Sequence, residues 1–280
     1  MGGTIRFRAE EWLEEAVPVE PGGTLFVNAD RGSVDVRSHA LDEVRIEAEA
    51  RGWRAGLVTF WLERDGNDVY VDASIDRFLP RLLGAAHIAI RAWVPRSYSV
   101  DAETRGGRVR IEGIHGEVAA QARGGQLKVR QIEGSVVLRA GGGDVGIEEI
   151  DGDVRARTSG GRVEMVGIRG DIEARTSGGR VEALAIDGQL DLRSSGGSVR
   201  ASFVHEPCGR LESSGGGIDV AFPDTAQVDL DARTSGGRVF LEHPLDEITR
   251  RSNRVVGRIN GGGLPLLIRT SGGPLHIRRC

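Results

Sequence analysis

GGRVRIEGIHGEVAAQAR (106–123), GGQLKVRQIEGSVVLRAG (124–141), GGDVGIEEIDGDVRARTS (142–159), GGRVEMVGIRGDIEARTS (160–177) and GGRVEALAIDGQLDLRSS (178–195) follow one another without a gap. A Gly-Gly pair heads each segment, and Gly196 opens another at the same step, 196 − 178 = 18 residues. Such units are too small to bury an apolar face alone, so tandem copies must stack.

Each repeat holds two alternating runs, with Val163 and Met165 or Val181 and Ala183 in the first and Ile172, Ala174 and Thr176 in the second. Alternation at period two puts those side chains on one face of a strand. Between the runs stands an isoleucine (Ile114, Ile132, Ile150, Ile168, Ile186), followed two residues later by glycine (Gly116, Gly134, Gly152, Gly170, Gly188). This pattern reads as an apolar bend and then a corner where backbones approach closely. Stacking pairs each strand in parallel with its counterpart one repeat on, about 4.8 Å away, over a column of Val, Ile, Leu and Ala. The expected fold is all-β, a parallel β-solenoid (β-helix) of roughly 18-residue coils, right-handed by the usual preference of parallel crossovers.

Downstream the period loosens. Gly215, Gly236, Gly261 and Gly272 head further turns in SSGGGIDVAF, TSGGRVFLEH, INGGGLPLLIRT and TSGGPLHIRR, with HEPCGR and PLDEITRRSNRVVGR entering as loops. Upstream, GGTLFVNADRGSVDVRS, DEVRIEAEARG, NDVYVDAS and HIAIRAWVPRSYSVDAE alternate as strands outside the register. The expected division is an N-terminal extension at 1–16, an irregular β part of the same solenoid at 17–104 and the regular Gly-Gly solenoid at 105–280. Residues 5–15 read as a short strand or helix, and 76–86 as a loop with a helical turn. The final TSGGPLHIRRC has no capping helix, which leaves Leu275 and Ile277 on an end strand blunted by Pro274 and the Arg278-Arg279 pair.

Composition sets bounds on function. Glycine, 42 of 280 residues, alternates with Val, Ile and Leu, which excludes both a collagen repeat and a flexible linker. A net charge of −4 and a pI near 5.9 argue against a general grip on nucleic acid, so no specific nucleic-acid partner is expected. The start, MGGTIRFRAEEWLEEAVPVE, is charged throughout, and no stretch approaches the run of about 18 apolar residues that a membrane span needs. The expectation is a cytoplasmic protein without a transmembrane segment. Cys208 and Cys280 fit a reducing compartment better than a disulfide framework.

Catalytic constellations are weak. His39, His87, His115, His205, His243 and His276 form no HExxH, and neither cysteine lies in a CxxC. His205 and Cys208 in FVHEPCGR have the elements of a nucleophile and base, yet His and Cys so close in one loop are more often incidental. No GxxxxGK[ST] phosphate loop occurs. Calcium rolls need an Asp in every half-coil, whereas Arg110, Glu112, Lys128 and Glu164 hold those places. Asp151, Asp153, Asp171 and Asp187 lie near corners as a solvated acidic edge rather than the paired carboxylates of a glycosidase. The reading is no enzyme, no cofactor and no metal.

The order PGGTLFVNADRGSVDVRS, AIRAWVPRSYSVDAETRGGRVRIEGIHGEV, tandem TSGGRVE coils, VDLDARTSGGRVFLEHP and RINGGGLPLLIRTSGGPLHIRR resembles the bacterial putative-adhesin family of β-strand-repeat proteins, a domain of unknown function. The resemblance covers nearly the whole chain from Val17. It implies a β-repeat architecture and an adhesin-like role without assigned chemistry. Members often bear an export signal or membrane anchor, which this sequence does not display.

The informative surface feature is a column. Arg139, Arg157, Arg175 and Arg193 hold one position of successive coils and should stack at strand spacing, with Thr158, Thr176 and Ser194 forming the next column. Like charges so placed repel unless carboxylates intervene, and Glu173 and Asp191 stand ready on the same strands. One reading is an Arg/acid lattice that keeps the face soluble; the other is an anion-binding strip for a polyanionic surface. The basic insertion Arg250, Arg251 and Arg254 is a second candidate for such a site. Two function classes follow: a scaffold or binding module whose partner is a protein or polyanionic surface, or a structural protein that self-associates through its solenoid ends. A carbohydrate-active β-helix enzyme is a distant third.

Overall fold

The computed structural model describes residues 5–52, 55–75 and 86–280. The loop and helical turn expected at 76–86 therefore lie outside the described residues, apart from Ala86. Strands dominate; a single 3-10 turn occurs at Ala55–Leu57, with no α-helix among the described residues. The chain divides into two compact units, Met1–Gly143 and Asp144–Cys280.

The second unit holds the plainest coils. Val145–Asp151, Val163–Arg169, Val181–Asp187 and Val199–Phe203 pair in parallel on one face. Val154–Thr158, Ile172–Thr176, Leu190–Ser194 and Gly209–Ser213 do so on the other, built of five-residue strands. Pairing steps by one repeat, with Val163 opposite Val181 and Ile172 opposite Leu190. The parallel β-solenoid expected from the glycine period is therefore the fold observed. Val163, Met165, Ile168, Ile172 and Ala174 point inward and are buried.

Ile168 lies within the first strand, which ends at Arg169, and is not a bend between strands. Met165 and Ile168 are three residues apart, so strict alternation would turn one of them to solvent. Both are buried because Gly167, at φ 69°, is left-handed and shifts the inward phase by one residue. The same place is left-handed at Glu149 (φ 58°) and Ala185 (φ 55°). In the first unit it is left-handed at Gly113 (φ 78°) and Gln131 (φ 56°).

The corner glycines are required by contact. A Cβ on Gly179 would lie 1.9 Å from the carbonyl oxygen of Gly161 in the preceding coil, which no side chain can accept. Its neighbour Gly178 would meet nothing closer than 3.8 Å. The pair thus contains one glycine fixed by stacking and one under little constraint.

At the C-terminal end the stacking order departs from chain order. Leu264–Thr270 lies between Gly209–Ser213 and Val228–Thr234, parallel to both. Likewise Leu275–Arg279 lies between Ile218–Phe222 and Val239–Leu241. The last coil is an inserted layer, so Leu275 and Ile277 are buried and do not form the open end that the sequence suggests. PLDEITRRSNRVVGR is also not a loop: Glu247–Arg251 and Arg254–Ile259 form an antiparallel hairpin beside Val228–Thr234. From the hairpin the chain crosses the start of that strand through left-handed Asn260, Gly261 and Gly262. Gly261 therefore marks a crossing and heads no coil. The side chain of Asn260 holds the crossing by donating to the carbonyls of Asp224 (2.7 Å) and Ala226 (2.9 Å).

The first unit mixes parallel coils with antiparallel strands. Thr24–Ala29 and Gly32–His39 make one coil, paired in parallel on one side with Ser99–Thr104 and Val109–His115. On the other side they pair with Asp68–Ile75 and His87–Pro95. Ile5–Glu10, Val58–Asp65 and Glu43–Arg51 join antiparallel, and Trp12–Pro18 pairs antiparallel with Glu43–Arg51. Residues 5–15 are thus strands rather than a helix. Tyr98 anchors the corner region: it is buried, its hydroxyl donates to the carbonyl of Asn67, and burial pushes its pKa far above the usual phenol value.

Candidate functional site: the arginine ladder

The second unit brings Arg157, Arg175 and Arg193 into one lateral row, with Arg157 opposite Arg175 and Arg175 opposite Arg193. Their strands project them outward because Ala156, Ala174 and Leu192 take the inward positions. Carboxylates occupy the gaps. Arg157 Nη2 donates to Glu173 Oε1 at 2.8 Å, and Arg175 Nη2 stands 3.1 Å from the same oxygen. Arg175 also reaches Asp191 Oδ2 at 3.6 Å, and Arg193 binds Asp191 through two nitrogens at 2.9 and 3.1 Å. Glu212 continues the ladder, 3.6 Å from Arg193 and 3.7 Å from Arg210.

The electrostatics follow from these contacts. The Arg157 hydrogen bond, helped by the charge of Arg175, holds the Glu173 carboxyl below the usual carboxylate range against the opposing effects of burial and Asp191. The Asp191 hydrogen bond raises the Arg193 guanidinium further above its ordinary value. Arg155, which interrupts the acidic column, lies 3.9 Å from Glu173. Arg139 belongs to the first unit, exposed on Val136–Ala140 opposite Gln121.

The hydroxyl column beside the arginines is internal. Thr158, Thr176 and Ser194 are buried. Thr176 Oγ1 donates to the carbonyl of Gly161 at 3.1 Å and accepts from the amide of Gly179 at the same distance. Ser194 repeats this with Gly179 and Gly197, both at 2.9 Å. The first hydroxyl of TSGG or SSGG thus clamps two successive corners at Thr176, Ser194 and Ser213. The recurrent hydroxyl before Gly-Gly was the sequence signal for this clamp, but spacing alone did not reveal its partners.

The remaining candidates lie apart from the ladder. His205 Nδ1 lies 3.3 Å from Asp187, and no hydrogen bond joins it to Cys208. Burial and the charge of Asp171 push the Cys208 thiol up, away from thiolate character. Asp153 accepts from the amide of Asp171 (3.0 Å) and Asp171 from that of Gln189 (3.1 Å), so these acids tie one coil to the next. Among the described residues no group of three or more His, Cys, Asp or Glu could hold a metal ion, and no helix is long and apolar enough to cross a membrane.

Parallel coils closed by glycine corners, clamped by buried hydroxyls and faced with charge define a β-solenoid repeat domain. The chain belongs to the Toastrack DUF4097 family, whose model matches residues 23–278. Two solved structures are similar. One is named a putative adhesin, from Bacteroides fragilis, at 13% identity and a TM-score of 0.45, covering 97% of this chain and 98% of that one. The other is named a putative cell adhesion protein, from Clostridium sporogenes, at 12% identity and a TM-score of 0.24, covering 96% and 100%. No curated protein matches the chain.

Proposed function

We propose that this protein is a non-catalytic binding module that displays a fixed pattern of charge to a macromolecular partner. The observation that carries the reading is the ladder: Arg157, Glu173, Arg175, Asp191 and Arg193 are held at strand spacing in alternating sign by mutual ion pairs. Side chains already ordered lose little freedom on binding, which favours recognition by a rigid face. A face of both signs suits a protein surface of complementary pattern better than a uniform polyanion. The candidate nucleophile points the same way, since the Cys208 thiol is pushed up and His205 is engaged by Asp187.

The competing reading is self-assembly through coil ends. The second unit opposes it with a three-residue edge strand, Val239–Leu241, on one sheet and the charged EITRR edge, Glu247–Arg251, on the other. Short and charged edges resist strand addition. Size-exclusion chromatography with electron microscopy tests the choice: a monodisperse species without filaments is expected, and stacked fibres would replace this reading with the structural one.

A further inference from the structure

The ladder is not the most basic part of its face. Further along the same sheet of the second unit, Arg269 lies opposite both Glu212 and Arg233, Arg233 opposite Arg254, and Arg254 opposite Arg251. Four neighbouring strands therefore present arginine side by side, over about three strand spacings or ~14 Å. Here the carboxylates do not match the charges. Arg233 is held by Asp231 at 2.8 and 2.7 Å, but Glu212 is drawn to Arg193 and Arg210. Among the described residues Arg251, Arg254 and Arg269 have no ion-pair partner, and Arg254 Nε is buried without a hydrogen bond. Like charges directly opposite one another destabilise a sheet. A bound anion would remove that cost.

The row lines a recess of about 570 Å³ with Asn253 and with Glu212, whose charge is taken up by Arg193 and Arg210. The hydroxyls of Ser213, Thr234 and Thr270 in its wall are spent on corner carbonyls at 2.8, 2.7 and 2.6 Å. Ser214, Ser235 and Ser271 are exposed at its rim and supply polar groups for a ligand. We propose that this recess binds a phosphorylated or sulfated sugar: guanidinium groups take the oxyanions in bidentate fashion, and the serine and asparagine side chains meet sugar hydroxyls. Its volume suits a ligand of a few rings. The recess is open to solvent, and a sugar can enter it where a bilayer would meet only its rim. The assignment goes beyond the display reading and uses other residues, so its failure would leave that reading to be judged by assembly state.

The test uses the full chain and sucrose octasulfate, titrated calorimetrically at constant ionic strength. One-to-one binding is expected. Arg269→Gln and Arg254→Gln should each weaken it at least about tenfold, the loss of one charged hydrogen-bond contact. Arg157→Gln/Arg175→Gln, which leaves Arg193 in place to hold Glu212, should leave it unchanged. Arg269 is exposed on a strand paired on both sides, so its variant tests the site even where Arg254→Gln loosens the hairpin. Affinity unaffected by both pocket variants, or lost only in the ladder variant, would overturn the site. Sodium sulfate binding as tightly as the octasulfate, or retention only on phosphatidylglycerol vesicles, would overturn the sugar assignment.

Discussion

At the residue scale the two glycines of a corner should behave differently, although the sequence writes them as a pair. Gly179→Ala forces a Cβ into the Gly161 carbonyl, so it should destabilise by about 3 kcal/mol or more. Gly178→Ala has room and should stay within about 1 kcal/mol of the parent. Urea denaturation of both variants checks this, and equal losses would refute the stacking contact. The preceding hydroxyl makes a matching case. Thr176→Val keeps volume but takes the hydroxyl partner from the buried Gly161 carbonyl and the half-buried Gly179 amide, which should cost about 1–3 kcal/mol. Spacing made the TSGG motif visible; its reason was not legible, because the partner carbonyl lies 15 residues back, at the preceding corner.

At the scale of the strand, the inward column controls stability and the outward one responds to pH. Ile168→Asp would bury an uncompensated charge between Ile150 and Ile186 and should unfold its coil at a cost of several kcal/mol; a melting temperature equal to wild type would reject the register. Period-two alternation was enough to pick Val163, Met165 and Ala174 for the core. It did not reveal the left-handed residue that brings Ile168 back inward, because Ala185 and Glu149 adopt that conformation despite being poor candidates for it. On the outer face, Glu173 titrates below the usual carboxylate value in the folded chain. Its ion pairs therefore contribute fully above that ordinary value and are lost as pH falls through the lowered one. The contribution is small, since Glu173 is 26% exposed and its arginines 42–53%. Glu173→Gln should lower stability by a constant amount from about pH 8 to 6, and the gap should close in acid. A gap that widens on acidification would mean the pairing is misassigned.

At the scale of the whole chain, the 18-residue period foretold the coils and the parallel pairing but not the order in which the last ones stack. Local patterning says which residues form strands; which neighbour a strand chooses depends on where intervening segments carry the chain, and the hairpin at 247–259 carries it past its own coil before it returns. The anion site was missed as a unit for the same reason. Arg251 and Arg254 stood out as a basic insertion, but Arg233 and Arg269 join them only through the inserted layer. This topology makes a prediction about truncation. If the last coil were simply the end of the stack, a chain stopped at Gly263 would lose one layer and keep the rest. In the observed order that truncation removes the layer on which Val239–Leu241 depends for its pairing, and one of the two partners of Val228–Thr234. Amide exchange at 228–241 should therefore rise toward unprotected rates in the truncated chain, while 163–194 keeps its protection because those coils retain both neighbours. Protection at 228–241 equal to that in the full chain would show that the final coil is terminal after all.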